Sequence, residues 1–252
     1  MIVDGTSGWM LLLAASAFVL GGLVKGVAGF GLPLVVISLT STFMPIEVAL
    51  AINVIPPFVL NLWQMGGAQG AAATWKRYSP VLIGLPMGIA IGAVFAAVLD
   101  ASWLVGAVGA VTLAFCLSEF AGWRLQLSPA QVSPAGLATG FVSGFFGSLT
   151  TVTGPPLMMY LLAAKASPET FRSALGLFFL VVGFMLTLAF ASIGFLSPPL
   201  ALIGVLMAAP AAAGMWLGRR LSKHVDASLF RMIVLMLLAI LGLNLLRRAV
   251  FA

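Results

Sequence analysis

Apolar stretches long enough to cross a lipid bilayer follow one another along this chain, with only short polar breaks between them. A helix needs about 20 apolar residues to cross a hydrocarbon core of about 30 Å. Of the 252 residues, 62% are hydrophobic and only 7% are charged. The alternation with period two that a membrane β-barrel requires is absent. The sequence therefore predicts an all-α polytopic membrane protein in contact with a lipid bilayer.

The formal charge of +6 has a simple explanation in such a protein. In a soluble chain this excess of Lys and Arg would favour nucleic-acid binding. Here the basic residues cluster between apolar stretches, as cytoplasmic loops of membrane proteins do. We therefore expect no nucleic-acid partner.

The chain contains an internal repeat. The motif "DASW" at 100–103 recurs as "DASL" at 226–229, an offset of 126 residues. Glycines at 22, 26 and 29 match glycines at 140, 144 and 147 at an offset of 118, and Pro33 and Pro45 match Pro156 and Pro168 at 123. The ordered series predicts a first transmembrane repeat over 1–124, a short linker over 125–134 and a second repeat over 135–252.

The distribution of charge favours an inverted arrangement of the two repeats. A single helix over 8–44 would be about 55 Å long, too long for one crossing, so a hairpin that turns at the glycines is the alternative. If 8–44 and 135–165 are hairpins, eight of the basic residues in loops share one side and two face away, whereas single crossings divide them five against five. The positive-inside rule favours the hairpins. Each repeat then contains one glycine-broken hairpin plus three transmembrane helices, or 8–10 membrane segments in total, and the second repeat is inverted.

Two corresponding stretches interrupt the predicted hairpins. The first is "KGVAGFGLPL", where Gly26, Gly29 and Gly31 let the backbone leave the helix and Pro33 suits the first turn of a new one. The second is "GFFGSLTTVTGPPL" at 144–157. Irregular backbone inside a bilayer is tolerated only where protein or a cavity surrounds it. Paired breaks in inverted halves therefore predict a binding site near the bilayer midplane.

The residues of these breaks are typical of an anion site. Two helix N-termini, near Leu32 and Gly154, would present free N–H groups, and Lys25 adds a positive charge. Asn53 lies in the middle of a predicted span. No acidic residue lies in either break. The predicted substrate-binding residues are Lys25, Gly26, Gly29, Gly31, Asn53, Ser148, Thr150, Thr151, Thr153 and Gly154, and no cofactor or metal site is expected.

Each feature also has an alternative interpretation. The pairs Gly22/Gly26 and Gly140/Gly144 could let helices pack closely, although the adjacent prolines favour a site; for Gly84/Gly88/Gly92 and Gly214/Gly218 packing is the preferred interpretation. Lys25 could extend along the hairpin to the cytoplasmic surface.

The stretches "GGLVKGVAGFGLPLV" and "GFVSGFFGSLTTVTGPPLMMYLL", in a chain of two similar halves, resemble the sulfite exporter TauE/SafE family. The resemblance covers nearly the whole chain and implies export of small sulfur-containing or organic anions, such as sulfite or sulfoacetate, across the bacterial inner membrane. Its motifs are glycine patterns, so they indicate the family rather than the substrate.

Two other function classes are alternatives. An intramembrane enzyme is disfavoured because the sequence offers no catalytic pair: the only histidine, His224, lies in a loop, and no aspartate lies inside a predicted span. A passive anion channel stays open as the alternative to a transporter. The direction of transport, the coupling ion (H⁺ or Na⁺) and the oligomeric state also stay open, with a homodimer among the assemblies that the sequence allows.

Overall fold

A computed structural model describes residues 7–65, 71–122, 126–224 and 226–251. These residues form ten α-helices, five in each half of the chain. The helices of the first half are α1 (Gly8–Ala28), α2 (Leu32–Thr40), α3 (Ile46–Met65), α4 (Ala71–Val98) and α5 (Ala101–Ala121). Those of the second half are α6 (Pro129–Thr150), α7 (Gly154–Ala163), α8 (Pro168–Ser192), α9 (Pro198–Leu221) and α10 (Ala227–Phe251).

Seven of the described helices are long and apolar enough to cross a membrane, namely α1, α4, α5, α6, α8, α9 and α10. The three shorter apolar helices are α2, α7 and the apolar part of α3. The prediction of a polytopic helical membrane protein is therefore confirmed. Helices α4 and α6 begin at Ala71 and Pro129, inside the stretches 65–79 and 122–134 that the charge count assigns to cytoplasmic loops. Residues 66–70 and 123–125 of these stretches lie outside the described residues.

The segments 8–44 and 135–165 each form the predicted hairpin. The short helix α2 returns along α1, so that the Cα of Gly21 faces the carbonyl oxygen of Leu32 and the side chain of Val36. In the second half, the N–H of Leu127, just before α6, donates to the carbonyl of Ala163 at the end of α7 over 3.1 Å. The start of the long arm and the end of the short arm therefore lie at the same end of the molecule.

The most extensive helix contacts join one half of the chain to the other. Helix α1 packs in parallel along α9, and α6 packs in parallel along α4. Glycines make both contacts possible because their Cα atoms approach the neighbouring backbone: Gly88 faces the carbonyl of Phe141, and Gly214 faces the carbonyl of Val19. Packing through small residues is typical of membrane helices. The packing interpretation of Gly84/Gly88/Gly92 and Gly214/Gly218 is thus confirmed.

The last helices of the two halves, α5 and α10, run antiparallel. Gly109 packs against Leu246, whereas Cys116, two turns further along α5, lies beside Leu235. An ion pair between Glu119 and Arg231 follows at the same end. Antiparallel corresponding helices are what an inverted repeat requires, but the orientation of each half in a membrane and the division into two repeats stay predictions.

Candidate functional site

The first break follows α1 and consists of residues 29–31. Gly29 has a left-handed backbone, φ 85°, and its N–H donates to the carbonyl of Lys25 over 2.8 Å. Gly31 has φ 96°, and α2 begins at the next residue, with Pro33 in its first turn. Left-handed backbone favours glycine because a Cβ would meet the following carbonyl. The predicted local roles of Gly29, Gly31 and Pro33 are therefore confirmed.

The second break consists of residues 151–153 and begins with a left-handed turn like that of the first, but its last residue, Thr153, has φ −116° where Gly31 has φ 96°. Thr151 has φ 59°, and its N–H donates to the carbonyl of Gly147 over 2.7 Å. Helix α7 then begins at Gly154, as the sequence predicts, and two prolines follow this glycine in its first turn. A threonine with this backbone is strained, so contacts elsewhere must hold it in place.

The structural correspondence between the breaks corrects the repeat register. Gly29 and Thr151 occupy equivalent positions, as do Leu32 and Gly154, so the offset through the breaks is 122 residues. The offset of 118 that the glycine pattern indicates is therefore wrong by one helical turn. The glycine pattern is misleading because glycine stands wherever two backbones meet, and such contacts recur every turn along one helix face.

Gly26 lies in the contact between α1 and α9, and an added Cβ would be 2.9 Å from the Cα of Gly218. Gly22, Gly140 and Gly144 similarly face carbonyls of the neighbouring helix. These contacts support the packing interpretation of the two glycine pairs: their Cα atoms face the backbone of α9 or α4, which leaves no room for a ligand on that side. Their part in a binding site stays a prediction.

Asn53 joins the two breaks. Its side chain is fully buried in α3. The amide nitrogen donates to the carbonyl of Pro33 over 3.0 Å and to the hydroxyl of Thr151 over 2.7 Å. One amide therefore contacts the first turn of α2 and the strained residue of the second break. The expected approach of the two breaks is confirmed, whereas their depth in a membrane stays a prediction.

Lys25 is buried, with 5% of its surface exposed, although it is charged. Its ammonium group donates to Oδ1 of Asn61 over 2.7 Å and lies 5.7 Å from the ring centre of Phe179. The same ring packs against Gly154, 3.1 Å from where its Cβ would be. Lys25 therefore lies in the protein interior near the start of α7. The alternative, in which Lys25 extends to the cytoplasmic surface, requires an exposed ammonium group and does not agree with this position.

Among the described residues, no carboxylate forms an ion pair with this ammonium group. The described carboxylates all lie at or near helix ends: Glu47, Asp100, Glu119, Glu169 and Asp226. Within the described part of the chain, the one ion pair joins Glu119 to Arg231. A buried ammonium group without a carboxylate partner is costly in a membrane protein unless another group or a ligand compensates its charge.

Most of the predicted hydroxyl donors already form hydrogen bonds with backbone carbonyls of the protein. Ser148 donates to the carbonyls of Gly144 and Ile89, each over 3.1 Å, and Thr150 donates to the carbonyl of Phe146 over 2.7 Å. Thr151 donates to the carbonyl of Thr150 over 2.6 Å. These three hydroxyls hold the end of α6 in shape, and their hydrogens are not available to a ligand in this conformation. Thr153 is buried, and its methyl group packs against Gly147.

The two helix N-termini differ in their free donors. The first three positions of α2 are Leu32, Pro33 and Leu34, of which two have an N–H. The first three of α7 are Gly154, Pro155 and Pro156, of which only the glycine has one. The backbone of α2 therefore offers more donors to an anion than that of α7.

Asn61 and Phe179 were not predicted from the sequence. Asn61 lies two turns after Asn53 in α3, so two asparagines recur along the otherwise apolar stretch 48–63. That spacing is the signal that could have identified Asn61. Phe179 is one of 18 phenylalanines, and nothing in its local sequence distinguishes it.

Residues 13–245 match the family described as Sulfite exporter TauE/SafE. The chain belongs to the TauE/SafE family. Comparison with curated proteins and with solved structures finds no match. The family match covers both breaks and all ten helices in whole or in part, which confirms the resemblance stated from the glycine and proline motifs. It also establishes the broad function: the chain is a multi-pass membrane protein of a family of anion transporters.

Proposed function

We propose that this TauE/SafE protein is a secondary transporter that exports small sulfur-containing or organic anions, such as sulfite or a sulfonate, across the bacterial inner membrane. The observation that carries the proposal is the buried ammonium group of Lys25 near the start of α7, with no carboxylate from the described residues beside it. An anion would compensate its charge. The substrate-binding role of the breaks is part of this proposal.

Lys25 and the backbone have the main roles in the proposed site. The ammonium group attracts the anion, and the N–H groups at the starts of α2 and α7 add donors and positive dipole ends. The hydroxyls of Ser148 and Thr150 support the backbone of the second break. Asn61 holds the ammonium group until an anion takes its place.

Burial favours a carrier over the alternative, a passive channel. Lys25, Asn53, Thr151 and Thr153 are each no more than 5% exposed. An anion can reach them only if helices move, which is the requirement of alternating access. The hairpins are suitable moving parts because each short arm is joined to its long arm by a break of only three residues.

Counterflow in proteoliposomes tests the proposal. Purified protein is reconstituted into vesicles loaded with unlabelled sulfite, and uptake of ³⁵S-sulfite is followed from outside. A carrier accelerates uptake when unlabelled sulfite is inside, because each return of the site exchanges one anion for another. Uptake that follows the gradient alone, without this acceleration, would assign the protein to the channels, and no uptake above empty vesicles would reject the proposal.

The same vesicles can be used to identify the coupling ion. Imposed H⁺ and Na⁺ gradients are compared at fixed membrane potential. Acceleration by one gradient identifies the ion. A bacterial inner-membrane location is proposed from the family, and export is proposed as the direction.

A further inference from the structure

The amide of Asn53 has one atom whose hydrogen bonding the rest of the site does not explain. Its nitrogen uses both hydrogens, on Pro33 and Thr151. Its oxygen, Oδ1, is buried and accepts no hydrogen bond from the described residues. A buried acceptor without a donor is unfavourable, so an unmatched one in a native structure needs an explanation.

The orientation of this amide follows from its neighbours. The carbonyl of Pro33 can only accept, so the amide group facing it must be the nitrogen. The hydroxyl of Thr151 has given its hydrogen to the carbonyl of Thr150 and therefore accepts from Asn53. Exchanging the amide nitrogen and oxygen would place Oδ1 against a carbonyl oxygen and against a hydroxyl with no hydrogen to give. Oδ1 is thus the unpaired atom.

An unpaired acceptor is unexpected in an anion site. A bare anion offers only acceptors, so an anion oxygen beside Oδ1 would be repelled. A group that carries a hydrogen, such as a hydroxyl or an acid proton, would satisfy Oδ1. The amide lies between the two breaks, beside the first turn of α2, where the proposed function places the anion.

We infer that Asn53 Oδ1 is a specificity-determining acceptor that selects anions carrying a hydrogen-bond donor over anions of the same size and charge that lack one. The inference rests on the proposed function, because it concerns the anion that the same site binds. It adds a substrate class: hydroxylated monoanions, such as hydroxyalkanesulfonates and hydroxycarboxylates.

The physical basis is the asymmetry of buried hydrogen bonds. A site built to pair with a substrate hydroxyl rejects the analogue without it, because binding that analogue leaves the buried acceptor permanently unsatisfied. An apolar pocket discriminates much less between a hydroxyl and a methyl group. The preference should therefore depend on Oδ1 itself.

Two matched pairs of probes test the inference. Isethionate is compared with 1-propanesulfonate, and glycolate with propionate, so that within each pair a hydroxyl replaces a methyl group at constant charge. Affinities are measured by titration calorimetry on the full-length protein in detergent. We expect at least about a tenfold preference for the hydroxylated member of a pair.

Three variants locate the preference. Asn53→Leu keeps the approximate shape and removes the acceptor, so the preference should fall to within about twofold. Thr151→Val breaks the same network but leaves Oδ1, so the preference should persist even if affinity falls. Ser143→Ala removes another buried oxygen without a described partner, two turns before the second break, and should behave as the wild type.

The outcomes are distinct. Equal affinities in wild type, binding of none of the four probes while sulfite is transported, or equal loss of preference in Asn53→Leu and Thr151→Val would each overturn the inference and leave the proposed function intact. Probe binding that requires Na⁺ and is equally strong with and without the hydroxyl would indicate that Oδ1 binds a cation, and would also overturn the inference. Absence of both sulfite transport and probe binding would reject the inference and the proposed function together. If Asn53→Leu does not fold, the wild-type ratios and Thr151→Val still decide.

Discussion

The two breaks begin with the same left-handed turn but make it with different residues, and they differ again at their last residue, Gly31 or Thr153. The first reaches its left-handed turn with Gly29, which has no Cβ to strain. The second reaches the same turn with Thr151, whose strained backbone is held by the bond from Asn53 and by its own bond to Thr150. The helical turn before the first break carries the buried cation, Lys25, whereas the equivalent position before the second break is Gly147. A similar left-handed turn is thus combined with asymmetry of charge.

This difference indicates how a repeat protein acquires one site from two similar halves. The shared backbone supplies two helix N-termini that approach each other. The unshared side chains supply a single positive charge and a single bridging amide. We expect substitutions in the first break to change anion binding, and substitutions in the second break to change mainly the shape of the site.

The largest expected effect tests the packing beside the first break. Gly26→Val adds a side chain where the carbonyl of Met215 and the Cα of Gly218 leave no room. Because these neighbours are backbone atoms, they cannot move aside without separating α1 from α9. We expect little folded protein, measured by size-exclusion chromatography in detergent. Ala28→Val, on the same helix but outside this glycine contact, is the control, and folded Gly26→Val at wild-type yield would contradict the packing role.

The next effect concerns charge. Lys25→Ala should weaken sulfite binding at least about tenfold, equivalent to about 1.4 kcal/mol. Lys25→Arg should retain part of the affinity, because the charge remains while the shape changes. The measurement is calorimetric titration in detergent. Lys223→Ala removes the same charge from an exposed position and is the control. Wild-type affinity in Lys25→Ala would remove the lysine from the site.

A smaller effect, on stability, is expected when the residues of the two left-handed turns are substituted. Gly29→Thr should lower stability by about 1 to 2 kcal/mol through backbone strain alone, because an added Cβ meets no atom within 4 Å. Thr151→Gly removes the strain but also the hydroxyl that accepts from Asn53, so the two changes should nearly cancel. Thermal unfolding of both variants in detergent measures this. Equal destabilisation by both would show that the turns are not distinguished by strain.

The smallest effect concerns the hydroxyls. Ser148→Ala should change sulfite affinity by less than about twofold, because this hydroxyl donates to two carbonyls and not to a ligand. The same titration used for Lys25 measures it. A tenfold loss of affinity would show that Ser148 turns toward the anion in another conformation, and would make the second break a direct binding element.

Orientation in the membrane can be tested by labelling single cysteines in a Cys116→Ala background. Gln126 and Lys165 lie at the two ends of the second hairpin and are exposed, and Gly8 is the exposed first residue of the first hairpin. We expect cysteines at 126 and 165 to react from one side, and a cysteine at 8 from the other, in intact and permeabilised cells. Reaction of 8 and 126 from the same side would contradict the inverted repeat.

Much of the fold could be predicted because its determinants are local. Apolar length sets the spans, Pro33 and Pro155 mark helix starts, and the glycines at 29 and 31 permit left-handed backbone. The candidate site was predicted less completely. Lys25 and Asn53 were identified as unusual polar residues in apolar segments, but their partners, Asn61 and Thr151, are 36 and 98 residues away along the chain.

The sequence by itself determined the helical membrane class, the two breaks and the hairpins, because backbone conformation and membrane crossing depend on residues close together in the chain. Only the tertiary structure decided the register of the repeat, the packing role of Gly26, and the hydrogen bonds that engage Ser148 and Thr150 while leaving Oδ1 of Asn53 unpaired. A hydroxyl or an amide can pair with any group that the fold brings near it. Which group that is depends on how α3, α4 and α6 meet, and no short stretch of sequence contains that information.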